Sequence, residues 1–514
     1  MSSAPDGRTK AKTARVGRRH LVALVAAMLT TAACGSTVPG AENLSSAELE
    51  AYAGGDGLGI GGAGSAGGAG GPGAGGAGGG GTAGTTGTGP GGRGPGGTTG
   101  TTAPPKGAMG RGITNTTIAV GISWVDISAI FQAFAPTARN DAKATTKDAA
   151  QVVVDWMNKN GGIAGRKIVP IYHEYPAQAA AQDSTRSQAE QSMCDAFTQD
   201  NVVFAAMPTF STEGVFNSCA AKRGLVSLVV GNLDEIVDNP RIKDIGKTWY
   251  RIDGMAGERR EQVTVDQLHR RGFFAPGTRL GLLITNTPTA RRLAETSLKP
   301  ALKRIGVTPV VEATYTDADN MSSTVLTFSD AKVDRVMWGN CFSCQVSAAN
   351  FMSTAEAQGF TPAYGLTTQN TIGALRTLGA PPAALERSVA FGWKPAIDLA
   401  TNNVEPVRPG PPADCRRAVT EAGMADDFPP GYEGAYENIC EALFFLKRGL
   451  EAAPSLTIDG MSKAVESFGD HVPVGTFATR FGPGRHDGVS AVRDLFFERA
   501  CDCWKFRGPL HGVG

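Results

Sequence analysis

The chain has 514 residues, 68 of them glycine and only 7% aromatic, but 27 of the glycines fall between Gly54 and Ala103, so the remainder carries an ordinary share. The glycines keep no strict three-residue period, which excludes collagen, and about 400 residues from Arg111 onward can build one large or two mid-sized cores. The formal charge of +1 divides into a basic head, with six Lys/Arg and one acid before Cys34, and a mildly acidic body without any Lys/Arg cluster, a pattern that excludes nucleic acid as a partner.

Residues 1–33 have the anatomy of an export signal. Basic residues up to His20 run into the apolar stretch Leu21–Ala33, which as a helix would rise only about 20 Å. A hydrocarbon core is about 30 Å thick, so transient insertion and cleavage is expected rather than a permanent span. Ala32-Ala33-Cys34 resembles the bacterial lipobox, although Thr31 stands where leucine is usual. That likeness implies a diacylglyceryl group on Cys34 and cleavage just before it, and two acyl chains suffice for stable anchoring. Ordinary secretion is the alternative.

Residues 34–110 then form the lipidated N-terminus and a tether. Gly54–Ala103 is Gly/Ala/Thr with scattered proline and almost no charge or large apolar group, too little to offset the entropy of ordering. Fifty such residues would reach roughly 40 Å. The segment matches G-x-G-x-x-G twice, at Gly57/Gly59/Gly62 and Gly59/Gly61/Gly64, but no strand precedes and no helix follows, so neither is a nucleotide site.

From Thr117 the pattern alternates. Strands are expected at 117–123, 166–174, 202–207 and 225–230, with helices at 142–160, 178–200 and 212–223 between them. After a break near 234–248 the alternation resumes with helix 258–271, strand 279–285, helix 289–305, strand 308–313, helix 321–331, strand 333–338, helix 346–358 and strand 388–393. Late helices follow at 432–453 and 460–468, and a strand pair closes the chain within 491–506. Such alternation builds parallel sheets covered by helices on both faces. The expected fold is α/β, with two Rossmann-like lobes, about 111–250 and 251–393, and with 394–507 contributing to both. Ligands bind where the carboxyl ends of such strands converge.

The runs TIAVGIS, AAQVVVDWMNKNGGIAGRKIVPIYHEY, RRGFFAPGTRLGLLITN and GYEGAYENICEALFFLKRGLEA resemble the type I periplasmic binding proteins, more narrowly the branched-chain amino-acid-binding branch that serves ABC importers. The most specific piece runs from Asp155 to Ile168, and the likeness covers roughly 111–507. It implies a two-lobed receptor, tethered outside the membrane by its N-terminal lipid, that closes on a small solute, an amino acid, amide or related molecule, and delivers it to separate permease and ATPase subunits. No cofactor and no metal are implied.

Carried over residue by residue, Phe210-Ser211-Thr212 fits the family's Ser/Thr pair after the third strand. Gly231 and Asn232 stand where a small residue and a threonine are usual, and Thr289 begins the segment that replaces the family's Tyr-Gly-x-Gly. The acid that pairs with a ligand ammonium is replaced by Thr367 or Thr368. A free ammonium left unpaired in a closed cleft is costly, so the pattern points away from leucine, isoleucine or valine. From the residues themselves, Ser211 and Thr212 are expected at a helix N-terminus, capping it or favouring an anion. Trp124 could stack on a ligand or pack inside, Asn286 and Asn340 could bond a ligand or turn the chain, and Trp338 is expected in the core.

Apart from Cys34, eight cysteines remain, an even number suited to disulfides in an oxidising compartment. Local order pairs Cys194 with Cys219 and Cys415 with Cys440. Cys341 and Cys344 form C-x-x-C and Cys501 and Cys503 form C-x-C; these could pair internally, cross-pair, or together hold zinc. No G-x-S-x-G, H-E-x-x-H or Walker loop occurs, and the six histidines lack ligand spacing, so no enzyme is expected. A sensory receptor of the same fold and a structural envelope protein remain the other readings.

Overall fold

The computed structural model describes residues 109–126, 144–181, 183–208, 210–211, 214–231, 237–316, 321–339, 344–399, 406–428 and 434–514. They belong to the compact unit Gly97–Gly514. The export signal, Cys34 and the glycine-rich segment lie outside the described residues, as do Thr212, Asn232, Asn340 and Cys341.

Five parallel strands make the first sheet: β1 (Thr117–Trp124), β2 (Lys167–Glu174), β3 (Ala205–Met207), β4 (Val226–Val229) and β5 (Trp249–Arg251), in the order β2-β1-β3-β4-β5. The second sheet is built on β6 (Leu280–Thr285), β7 (Val311–Tyr315), β8 (Arg335–Gly339), β9 (Ala363–Thr367) and β10 (Val389–Gly392), which are parallel. A small hairpin, β11 (Gly469–His471) with β12 (Thr479–Phe481), precedes β13 (Ala491–Glu498) and β14 (Cys503–Gly512). The last two extend the second sheet antiparallel, giving β14-β13-β10-β9-β8-β6-β7. The fold is therefore α/β with two lobes, as the alternation predicts.

The helix Thr146–Lys159 illustrates how the sequence specifies its turn. Thr145 and Asp148 form a reciprocal capping box at its start, and Ala149, Ala150, Val153, Val154 and Met157 bury one face. At the other end Gly162 sits at φ +64° where a Cβ would overlap the Arg166 carbonyl, so only glycine fits. Asn158 then exchanges two bonds with the Ile168 backbone, at 2.7 and 2.9 Å, and so fixes the entry into β2. The distinctive run from Asp155 to Ile168 thus serves the return of the chain from helix to sheet.

Several elements escape the sequence pattern. The stretch read as a break at 234–248 holds the helix Asn239–Ile245, capped by Asp238 with proline in its first turn, and leads into β5. Strand β9, the helix Pro411–Glu421 and the β11–β12 hairpin were likewise not legible. The expected helix 289–305 divides into Pro288–Leu293, a π turn at Ala294–Leu298 and Lys299–Arg304. In the first lobe, the expected 178–200 helix comprises Ala177–Ala181, Asp183–Asp195 and a π turn over Ala196–Asp200.

The late helices Gly434–Ala452 and Ile458–Glu466 return to the first lobe, where Phe445 meets Tyr250, Phe468 and Phe481 in one aromatic cluster. Trp338 is core, packed on Phe351 and Tyr364. Cys194–Cys219 and Cys415–Cys440 are disulfides closing loops of 25 residues each, worth about 3.5 kcal/mol apiece on the loop-entropy model. Cys501 pairs with Cys503, so those thiols neither cross-pair nor bind zinc, and Cys344 is also disulfide-bonded.

Candidate functional site: the hinge and the cleft above it

The chain passes between the lobes three times: after β5, after β10 and between β12 and β13. The first and third crossings run side by side. Arg251 N–H donates to the His486 carbonyl at 2.8 Å, Gly488 N–H donates to the Arg251 carbonyl at 2.9 Å, and Val489 N–H donates to the Gly254 carbonyl at 3.2 Å. Their contact is close enough that a Cβ on Gly488 would collide with the Ile252 carbonyl.

The second crossing is tied to the first by side chains. The Trp393 indole donates to the Asp253 carbonyl at 3.1 Å, and the Lys394 ammonium pairs with the Asp253 carboxylate while also donating to Asn438 Oδ1 at 2.7 Å. Asp253 further accepts the Gly231 N–H at 2.8 Å, and Arg251 donates to the Gly231 carbonyl. Lys394 and Asp253 are both at most 1% exposed. Because β5 and β10 run straight into these crossings, the carboxyl ends of both parallel sheets converge there. That is the geometry of an interlobe binding cleft.

Two buried carboxyls flank the hinge. Asp398 accepts from Thr368 Oγ1 at 2.8 Å and from Lys394 N–H at 2.9 Å, and burial outweighs these bonds, pushing its pKa up to about 7. Glu441 accepts the N–H groups of Val474 and Gly475 at 2.7 and 2.9 Å, and burial likewise pushes it up to about 7. Its neighbour His471 is held down to about 4, first by burial and then by Arg448.

The structure places the expected ligand residues as follows. Trp124 ends β1, half-buried, with the Lys147 ammonium 5.6 Å from its ring and 5.4 Å from that of Tyr172. Ser211 is fully buried but does not start a helix: the helix Val215–Lys222 begins after Gly214, which has φ +77°. The expected cap is thereby corrected. The N–H of Phe216 is taken by the buried Glu190 carboxylate at 3.0 Å, so part of the anion-favouring end is already used.

Gly231 spends its backbone groups on the hinge. Asn286 is exposed at the end of β6; its N–H donates to the Tyr315 carbonyl and its side chain accepts from Arg291. Thr289 lies in the short helix capped by Thr287. Thr367 caps the turn Thr368–Asn370 and accepts from Gln369 N–H at 3.2 Å. Beside it, Gln369 accepts from the buried Arg260 at 3.2 Å. The structure thus brings Trp124, Ser211, Gly231, Asn286 and Thr367 to carboxyl ends of strands, with Gly231 and Thr367 engaged internally. Sequence reasoning missed Asp253, Lys394, Asp398 and Asn438, whose partners lie up to 141 positions away. A cavity of about 500 Å³ near Arg335, Phe360 and Arg387 lies at the amino ends of β8 and β9, the opposite end from the cleft.

Residues 135–497 match the family model described as periplasmic binding protein. The chain belongs to that family. Among the described residues no helix is long and apolar enough to cross a membrane. Solved structures share the fold. A branched-chain amino acid ABC transporter protein from Thermus thermophilus with bound valine aligns at 13% identity, covering 78% of this chain and 97% of that one, with TM-score 0.54. A periplasmic binding protein type 1 from Bordetella pertussis Tohama I aligns at 18% identity, covering 77% and 100%, with TM-score 0.53. A fatty acid ABC transporter substrate-binding protein from Thermomonospora curvata aligns at 17% identity, covering 79% and 94%, with TM-score 0.52. No curated protein matches the sequence.

Removing one partner of a buried ion pair strands the other charge, at a cost of about 3–5 kcal/mol. Lys394→Met is therefore expected to lower the unfolding free energy by about that amount in urea titrations, and adding Asp253→Asn, which removes the stranded charge but keeps an acceptor for the Gly231 N–H, should restore part of it. An additive double mutant would show that the pair is not coupled.

Asp398 keeps its proton in the fold to about pH 7, whereas an unfolded aspartate loses it near pH 3.9. Between those values the folded state binds more protons, so stability from this group falls as pH rises and is flat above about pH 7. Asp398→Asn lacks that loss. Its melting temperature should gain on that of the wild type between about pH 4.5 and about pH 7.5; a difference independent of pH would contradict the assignment.

Proposed function

We propose that the protein is a lipid-anchored solute-binding receptor that captures a small molecule between its lobes for an ABC importer. The carrying observation is the convergence of both sheets' carboxyl ends on three crossings pinned by Asp253 and Lys394. Such a joint lets two rigid lobes close on a ligand. The permease and ATPase would be separate proteins.

The solute is proposed to be an amide or small acid without a free ammonium group. The acid beside Thr367 and Thr368 is Asp398, whose carboxyl is buried and already takes the Thr368 hydroxyl and the Lys394 N–H, so it is not open to a ligand ammonium. A cation there would lack a counter-charge. Related folds hold valine or leucine, or serve fatty acid transport, so the fold itself accommodates several solute classes. Trp124, Ser211 and Asn286 are proposed to line the cleft together with Thr212, Asn232 and Asn340.

Thermal-shift screening against amides, small acids and amino acids is the test. At a hundredfold excess over Kd a true ligand adds about 2.7 kcal/mol, so one amide or acid should raise the melting temperature while leucine and valine leave it unchanged. Stabilisation by leucine or valine would overturn the proposed solute class, and no hit at all would favour an envelope protein without a small ligand.

Anchoring is tested separately. Cys34→Ala should shift the protein from the membrane fraction to the soluble extracytoplasmic fraction, because a diacyl anchor would be lost. Retention of the variant in membranes would refute the lipid anchor.

A further inference from the structure

Cys501 and Cys503 close the tip of the hairpin between β13 and β14: Cys503 opens β14 opposite Glu498, and Cys501 lies in the turn before it. Three features set this disulfide apart from Cys194–Cys219 and Cys415–Cys440. First, Cys501 is exposed, whereas all four cysteines of the other two bonds are at most 7% exposed. Second, the bond spans a separation of 2 rather than 25 residues, so it removes little entropy from the unfolded chain and gains correspondingly little stability from doing so. Third, the single intervening residue, Asp502, is held at φ +52°, a conformation that costs an L-residue energy. Both Asp502 carboxylate oxygens accept from Arg376 Nε at 2.9 Å, fixing the tip against the body of the second lobe.

Exposed and weakly stabilised disulfides are the more oxidising and exchangeable ones. We propose that Cys501–Cys503 is a thiol–disulfide exchange site, reduced by a dithiol outside the membrane and reoxidised by the disulfide form of that partner, while the buried disulfides remain closed. The two sulfurs have different roles. Cys501, the exposed one, receives the attacking thiolate, and Cys503, 7% exposed, is the leaving group. Attack forms a mixed disulfide on Cys501, breaks the Cys501–Cys503 bond and sends its electron pair to Cys503, which takes a proton from water. The second thiol of the partner then attacks its own sulfur in the mixed disulfide and releases Cys501 as a thiol. Two electrons and two protons pass from the dithiol to the cysteine pair, and the partner leaves as a disulfide.

The hairpin does not depend on the bond for its register. The ladder continues through Phe497 opposite Trp504 and Leu495 opposite Phe506, and Trp504 is fully buried. Reduction therefore frees the tip without dismantling the sheet.

Equilibration of the full chain with graded ratios of reduced to oxidised dithiothreitol, followed by differential alkylation and peptide mass spectrometry, tests the proposal. Cys501 and Cys503 are expected to reduce with an equilibrium constant at least about 100-fold larger than those of Cys194–Cys219 and Cys415–Cys440, with the far-UV spectrum unchanged. Reduction of all three bonds within about tenfold of one another would overturn it, as would recovery of Cys501 and Cys503 as free thiols or in other pairings from the oxidised protein. The roles are read with oxidised glutathione: Cys503→Ser should accumulate a mixed disulfide on Cys501, whereas Cys501→Ser should leave Cys503 unmodified. Equal modification of both variants would overturn the assignment of the attacked sulfur.

Discussion

A lysine ammonium is tolerated away from water only when other groups replace its hydration. Lys394 meets that demand with the Asp253 carboxylate and the Asn438 amide oxygen, and in doing so it joins parts of the chain that the two sheets would otherwise leave independent. Asp253 belongs to the crossing that leaves β5, Lys394 to the one that leaves β10, and Asn438 to a helix that packs back into the first lobe. The third crossing is drawn in through backbone bonds to Arg251 and Gly254. The point where the chain is threaded three times between its lobes thus holds a buried ion pair.

That arrangement has a mechanical consequence. Bending between lobes requires a few residues to absorb backbone change while the bodies on either side stay rigid. Here the bodies are helix-covered sheets with buried apolar cores, and the joint between them is held by the ion pair and hydrogen bonds of Asp253 and Lys394. Asp398 and Glu441 lie against this knot, their carboxyls pushed up to about 7 by burial.

The sequence made the strands and helices with strong local signals legible. The Thr145 capping box, the apolar face through Met157 and the glycine at Gly162 all lie within a few residues of what they specify. By contrast, β5 has three residues and β9 has five with Gly365 in the middle, too short for a period-2 pattern to stand out. The helix Asn239–Ile245 did carry a signal, Asp238 followed by proline, which the surrounding charged residues obscured. The candidate site was less legible still. Trp124 and Asn286 could be placed at strand ends from the alternation, and Thr367 only through the family likeness, but the bonds that commit Gly231 to the hinge and Thr367 to a local cap come from partners that only folding supplies.

The glycine excess and the charge split similarly belong to the sequence, because composition decides whether a segment can bury enough surface to fold and whether a head can act as an export signal. The alternating pattern, with the run from Asp155 to Ile168, determined the class of fold and the family. Only the tertiary structure decided what sits at the hinge and which cysteines face solvent. An ion pair spanning 141 positions and the difference in exposure between Cys501 and Cys194 leave no trace in local pattern, since both depend on where distant segments bring one another out of water.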